Sequence, residues 1–326
     1  MSRKRVLVYR QLPSEQLARI RCEHDVIEAN PRIPDQRQAF LDALPEVHGM
    51  IGSSYLIDDA ILAQADRLEV ISSISVGVDK FELDALARRG ITLCHTPGVL
   101  TETVADLLFA LMLGASRRLV ELARYVQDGR WNKSIGDELF GWDVHGKTLG
   151  IVGYGRIGQA LARRAALGFG MPVLYHARNP VDSGLPEGKA HAVPLDDLLA
   201  RSDFVTLVLP LTPQTQGMMG PREFALMKPG AILVNGARGP IVQEDALVQA
   251  LDSGRLRAAG LDVFDVEPLP LDSPLRTHPK VLPLPHVGSA THETRIAMSV
   301  LAVDNLLAAL GGGRPPAVYR LPPVAG

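Results

Sequence analysis

The sequence predicts an α/β protein of two layered units, each a parallel sheet covered by helices, and three observations predict it. Short apolar or β-branched runs alternate with helix-like stretches from Val6 to His95. A second alternation, of near-continuous apolar runs, begins at Thr148, and strands of that kind belong to a parallel sheet covered on both faces. A chain of 326 residues is also long for one core, since domains usually run to roughly 100–200 residues.

In the first unit the strand candidates are Val6 to Tyr9, Val26 to Glu28, Met50 to Ser53, Val70 to Ile74 and Ile91 to His95. Stretches such as IDDAILAQAD and KFELDALARRG separate them as helices. The N-terminus, MSRKRVLVYR, returns to polar sequence after a few apolar residues, so it reads as a first strand rather than a signal peptide. From Thr101 the run TETVADLLFALMLGASRRLVELARYVQDG predicts one long helix, with Thr101 as N-cap and Asp128-Gly129 as its stop. Few polar positions interrupt it through Leu113, so that part is expected to be buried. The strands of the second unit are TLGIVG, VLYHA, FVTLVLP, AILVNG, AAGLDVF and VLPLP. A last amphipathic helix is expected in THETRIAMSVLAVDNLLAALGGG, ended by glycines, and the proline-rich tail from Arg314 is expected to be poorly ordered.

Composition excludes several functions. The 34 basic and 36 acidic side chains nearly cancel, at a net −2, which argues against nucleic acid or a membrane surface as a general partner. Cys22 and Cys94 stand without a C-x-x-C, so no disulfide framework or thiolate metal site is expected and a reducing compartment, the cytoplasm, fits. His292-Glu293 lacks the second histidine of H-E-x-x-H and the nine histidines show no paired spacing, so no metal is expected. Arg117, Arg118 and Arg124 read as a solvated helix face or a contact between copies.

The strongest local motif is LGIVGYGRIGQALARRAA, where Gly153, Gly155 and Gly158 form G-x-G-x-x-G after a strand and before a helix. Gly153 allows the tight turn, Gly155 lets backbone approach a pyrophosphate, Gly158 lets helix and strand pack closely, and free N–H groups at the helix start attract phosphates. Where the next strand ends, an acid would hold the ribose 2′-OH of NAD; VLYHARNP offers His176 and Arg178 instead. That exchange removes repulsion toward a 2′-phosphate and adds a bidentate donor, so NADP(H) is preferred, with NAD(H) possible.

Three polar residues follow apolar strands: Arg238 in LVNGARGP, Glu267 in GLDVFDVEP and His286 in LPLPHVGSAT. Strand ends line the ligand crevice of an open α/β sheet, so the three are expected to converge. Reducing a carbonyl needs a hydride, a proton for the oxygen, and positive charge to anchor and polarise the substrate. His286 would give the proton, Glu267 would orient it and favour its charged form, and Arg238 would hold a carboxylate beside the carbonyl. Taken singly, each of these residues is more simply read as structural.

Taken together, these segments resemble the D-2-hydroxyacid dehydrogenase family over nearly the whole chain. SVGVDKFELDALARRGI, HTPGVLTETVAD, DVHGKTLGIVGYGRIGQALARRA, LPLTPQTQGM, NGARGPIVQEDALVQAL, AAGLDVFDVEPL and PHVGSATHET follow its motifs in their usual order. SISVGVD, HTPGVLTETVAD and GSATHETR are particularly similar to the bacterial 2-ketogluconate reductase branch, also described as 2-ketoaldonate or glyoxylate/hydroxypyruvate reductases. The resemblance implies a Rossmann-type doubly wound parallel sheet domain, residues 101–289, inserted into a smaller flavodoxin-like α/β substrate domain, residues 1–100 and 290–326. It implies reduction of a small-molecule 2-oxo acid by NADPH, foremost 2-ketogluconate to gluconate with glyoxylate/hydroxypyruvate activity, in a homodimer formed through the dinucleotide domain. Arg238, Glu267 and His286 would be its catalytic groups, with Arg238, His286, Val76 and Gly77 contacting substrate.

The same resemblance assigns Arg156 and Ile157 to the pyrophosphate, Leu209 and Pro210 to the adenosine side, and Asp262 to the nicotinamide amide. Thr215, Gly236, Ala237 and Gly288 are further cofactor contacts. Ser54 and Tyr55 would lie near the far end of the substrate. Lys80 and Arg130 are cations whose place the sequence leaves open. A 2-keto-6-phosphogluconate reductase and a dinucleotide-sensing binding protein on the same fold remain alternatives. A formate dehydrogenase would carry an amide where Glu267 stands.

Overall fold

In the computed structural model, which describes residues 3–179 and 181–323, the chain divides into two compact units, Met1–Leu100 with Ala290–Gly326, and Thr101–Ser289. The first contains β1 (Arg5–Val8), β2 (Asp25–Glu28), β3 (Gly49–Gly52), β4 (Val70–Ser73) and β5 (Thr92–Cys94). They form one parallel sheet in the order β2-β1-β3-β4-β5, the flavodoxin-like arrangement, whose winding reverses between β1 and β3. Leu7, Phe40, Leu44, Met50, Ile71 and Leu86 are fully buried in its core. The helix His292–Leu310, capped by the Thr291 side chain, packs on the sheet. Gly49 makes room for it: a Cβ there would stand 2.9 Å from the Leu306 Cδ1.

The tail departs from expectation. Val318 bridges antiparallel to Cys94, the His95 N–H donates to the Ala317 carbonyl at 3.2 Å, and the Tyr319 N–H to the Leu93 carbonyl at 2.8 Å. The buried Asn305 amide holds both sides, donating to the His95 carbonyl and accepting from the Ala317 N–H. The prolines that suggested disorder only keep this segment from extending into a regular strand. Val324 to Gly326 lie outside the described residues.

The second unit contains β6 (Leu149–Val152), β7 (Val173–His176), β8 (Ala190–Ala192), β9 (Phe204–Leu207), β10 (Ala231–Asn235), β11 (Leu256–Leu261) and β12 (Val281–Pro283). Their order is β12-β11-β10-β9-β6-β7-β8, all parallel, a Rossmann-type doubly wound sheet that reverses between β6 and β9. Every residue of β6, β9 and β10 is buried, which is why those strands read as unbroken apolar runs. β8 carried no such signal: Ala190, His191 and Ala192 form a short, largely exposed edge.

The expected single helix after Thr101 is two. Helix Thr101–Ser116, with Thr101 its first residue rather than its cap, packs on β10 and β11, where Gly236 and Gly260 accommodate Leu108 and Leu111. The chain then turns at Arg118, in the left-handed region at φ 53°, and restarts as Leu119–Gln127. The Arg118 guanidinium holds the turn by donating to both Glu121 carboxylate oxygens, at 2.8 and 2.6 Å, and to the Glu138 carbonyl at 2.6 Å. No Gly or Pro marks this break, since a long-range contact fixes it. The second helix buries none of its residues. Among the described residues no helix is long and apolar enough to cross a membrane.

Candidate active site

β10, β11 and β12 are neighbours, and the loops leaving their carboxyl ends carry Arg238, Glu267 and His286 in turn. The His286 Nδ1 lies 2.7 Å from the Glu267 Oε2, both side chains being partly exposed. The other carboxylate oxygen, Oε1, accepts the Phe264 N–H at 3.2 Å. Burial alone would raise the Glu267 carboxyl, but the His286 hydrogen bond and charge, the Phe264 N–H and the Arg238 charge outweigh it and hold the carboxyl below its ordinary range. A carboxylate acceptor at that distance commits Nδ1–H to Glu267 and leaves Nε2 without a partner among the described residues.

His286 sits in the left-handed region at φ 54°, sparsely populated for a residue with a Cβ. The turn is held from beneath. Asp262, buried at the end of β11, accepts the Val287 N–H through Oδ1 and the Gly288 N–H through Oδ2, each at 2.8 Å. Burial raises the Asp262 pKa against those two bonds, which lower it. A Cβ on Gly288 would meet the Asp262 Oδ2 at 3.1 Å. Asp262 thus supports the histidine loop, beyond the cofactor contact expected of it.

Sequence reasoning missed two residues that place Arg238. Asn235 is buried at the end of β10; its amide donates to the Arg238 carbonyl and accepts the Ala237 N–H, both at 3.0 Å. Gly239 lies against the Glu267 loop: a Cβ there would fall 1.8 Å from the Phe264 carbonyl carbon and 2.2 Å from the Asp265 nitrogen. The signal was present in LVNGARGP, as a polar residue closing an apolar strand and a second glycine after the arginine.

The glycine-rich turn follows β6, at the reversal of the sheet. Gly153 has φ 98°, donates its N–H to the His176 carbonyl at 2.9 Å, and has no room for a Cβ beside the Val208 carbonyl and Leu209. At Gly158 a Cβ would strike the Gly153 carbonyl at 2.4 Å, whereas at Gly155 it would meet nothing within 4 Å. Gly155 therefore borders open space, ahead of helix Arg156–Arg163, which no side chain caps. Those open N–H groups and that space fit a dinucleotide pyrophosphate. Arg156 is exposed and Ile157 half-buried at the same helix start.

His176 ends β7, its Nδ1 3.2 Å from the Val193 carbonyl, and Arg178 is exposed with no ion pair to a described residue. Tyr154 and Tyr175 stack beneath, 3.9 Å between centroids, and their hydroxyls donate to the Ser183 and Val181 carbonyls. Leu209 and Pro210 follow β9, and the Thr215 hydroxyl fastens that loop by donating to the Pro210 carbonyl at 2.8 Å. Arg130 lies over the Tyr125 ring at 4.6 Å. Among the described residues no group of three or more His, Cys, Asp or Glu side chains could hold a metal ion.

Val76 and Gly77 belong to the first unit, on the half-buried loop after β4. Their N–H groups donate to no described residue, and the Val76 carbonyl lies 3.1 Å from the His95 Nδ1. Ser54 follows β3 in the left-handed region at φ 62°, and Tyr55 packs on Phe40 at 5.4 Å between centroids.

Residues 109–288 match the family model described as D-isomer specific 2-hydroxyacid dehydrogenase, NAD binding domain. Over 307 residues the chain is 51% identical to the glyoxylate/hydroxypyruvate reductase B of Yersinia enterocolitica, covering 94% of each. It is 50% identical to that of Escherichia fergusonii, over 94% of this chain and 95% of the other. Among solved structures it is similar to an NADPH-dependent glyoxylate/hydroxypyruvate reductase from Sinorhizobium meliloti in complex with NADP and malonate. The TM-score is 0.88 and the identity 33%, covering 99% of this chain and 98% of the other. A Thermus thermophilus protein gives the same TM-score at 45% identity, covering 97% and 100%. A dinucleotide turn at the sheet reversal and a paired imidazole and carboxylate beyond the neighbouring strands agree with these likenesses, and the chain belongs to the D-isomer specific 2-hydroxyacid dehydrogenases, a family of oxidoreductases.

Proposed function

We propose that this chain reduces 2-oxo acids to D-2-hydroxy acids with NADPH in the cytoplasm, taking glyoxylate and hydroxypyruvate and extending to 2-ketogluconate, which it would convert to gluconate. The observation that carries the reading is the 2.7 Å Glu267–His286 pair on the same sheet edge as the glycine-rich turn. Reduced nicotinamide, when bound, supplies the hydride for the carbonyl carbon. Arg238 holds the substrate carboxylate and draws density from the adjacent carbonyl. With Nδ1–H committed to Glu267, His286 gives the carbonyl oxygen its proton from Nε2, and the carboxylate behind it offsets the charge of the protonated ring. Val76 and Gly77 keep their assignment as substrate contacts by resemblance, supported by their unengaged N–H groups.

Gly153, Gly155, Arg156, Ile157 and Gly158 would hold the pyrophosphate, Leu209 and Pro210 the adenosine side and Asp262 the nicotinamide amide, with Thr215, Gly236, Ala237 and Gly288 as further cofactor contacts. NADPH over NADH rests on His176 and Arg178, which stand where an acid would repel the 2′-phosphate. Steady-state rates for glyoxylate, hydroxypyruvate and 2-ketogluconate with each nicotinamide test the whole reading; no turnover with any of them ends it. In the same assay Arg178→Ala should raise KM for NADPH about ten- to a hundred-fold, as expected for losing a charge-assisted phosphate contact, with little change for NADH. An equal effect on both would remove Arg178 from phosphate recognition.

The homodimer is proposed on a second observation. Leu119, Val120, Val126, Trp131, Phe140 and Trp142 are all exposed between residues 119 and 142, a density of large apolar side chains that a lone surface rarely carries. Light scattering should give twice the chain mass, falling to the single-chain mass in Trp131→Glu/Phe140→Glu. A monomeric wild type would end this part.

A further inference from the structure

The first unit has a reversal point of its own, between β1 and β3, and in open α/β sheets the crevice at that point, beyond the strand carboxyl ends, is where ligands bind. A cavity of about 540 Å³ opens there, lined by Arg10, Gln11, Thr291, His292, Arg295 and Ser299 among others. Arg10 follows β1, and its Nη1 donates to the hydroxyl of Ser53, which is buried, and to that of Ser54 at 3.2 Å, the residue held at φ 62° after β3. Two contacts on one nitrogen fix the guanidinium while its remaining N–H donors stay available. From the other wall, helix His292–Leu310 brings its amino end, with Arg295 one turn in.

No Asp or Glu lines this cavity, and neither Arg10 nor Arg295 has a carboxylate partner among the described residues. Burial and then the charges of Arg295 and Arg32 lower the Arg10 pKa, so cations crowd one another here without a counter-charge. An unbalanced cluster of this kind, braced by a strained serine, is stabilised by an oxyanion that accepts from two guanidinium groups.

We propose that the first unit carries an oxyanion-binding site at its β1/β3 reversal, in which Arg10 and Arg295, with His292 and the helix amino end, take a phosphate or carboxylate group. Free phosphate and the charged terminus of a long 2-oxo acid present the same oxygens, and the two sources separate experimentally. The existence of the site does not rest on the reductase reading, because phosphate binding is measured without turnover; only the choice between the two sources does.

Inorganic phosphate is titrated into the full-length protein by calorimetry at constant ionic strength. Saturable binding is expected, weakened about ten-fold or more in Arg10→Gln and again in Arg295→Gln, with Arg10→Lys intermediate because it keeps charge but loses the fork. Circular dichroism of each variant confirms folding, and Arg295→Gln, on a different element, guards against misfolding of one variant. In parallel, kcat/KM is compared for a 2-oxo acid and its terminally phosphorylated counterpart. If Arg10→Gln lowers the preference for the phosphorylated acid, the site reads a substrate tail. If phosphate affinity falls while that preference holds, the site takes a free anion. No phosphate binding by the wild type, or wild-type affinity in both Arg10→Gln and Arg295→Gln, overturns the proposal.

Discussion

His286→Ala is expected to lower kcat for 2-oxo acid reduction by about 10²–10⁴-fold, the usual contribution of a positioned general acid, while the protein still folds and binds NADPH. The side chain is partly exposed and packs into no core, so its loss should leave melting behaviour nearly unchanged. Glu267→Gln separates proton delivery from positioning. The Glu267 carboxyl is held low, so it stays ionised across the neutral range and keeps a charged acceptor on the His286 Nδ1. With a neutral amide in its place, the acid fall of kcat/KM, where the Glu267 carboxyl would take up a proton, should disappear. Near-wild-type kcat in His286→Ala, or an unchanged acid limb in Glu267→Gln, would remove this pair from proton transfer.

Gly239→Ala is expected to have the largest effect on stability. The added Cβ would meet the Phe264 and Asp265 backbone well inside contact distance, where no side chain can swing aside. The loops carrying Arg238 and Glu267 must then separate, at a cost on the order of 3 kcal/mol. For a unit of this size that corresponds to a Tm lower by roughly 6–12 °C. KM for the 2-oxo acid should rise too, because Arg238 precedes Gly239 directly. Scanning calorimetry with substrate kinetics checks both, and a variant matching wild type in each would show that the loops do not depend on this close approach.

What the sequence made legible follows from how locally each feature is determined. The buried strands β6, β9 and β10 announce themselves because both faces are covered, and the glycines after β6 because steric demand at Gly153 and Gly158 admits nothing larger. Arg238, Glu267 and His286 stood out as polar groups just past apolar runs. The break at Arg118 and the ordered tail stayed hidden, since contacts from Glu121 and Glu138, and from Asn305, decide them. The cluster around Arg10 was equally invisible: its serines and arginine lie some 43 positions from each other or further along the chain, and only the strand order brings them together.

The paired tail has a consequence for how copies of this chain meet. An outer strand with free N–H and C=O groups invites the strand of another molecule, and β5 is such an outer strand. Val318 and its neighbours occupy those groups first, so the final segment works as a stopper against end-to-end sheet growth. Trimming the chain ahead of Ala317 would unseal that rim and strand the buried Asn305 amide, turning a self-limited protein into one prone to stick to itself.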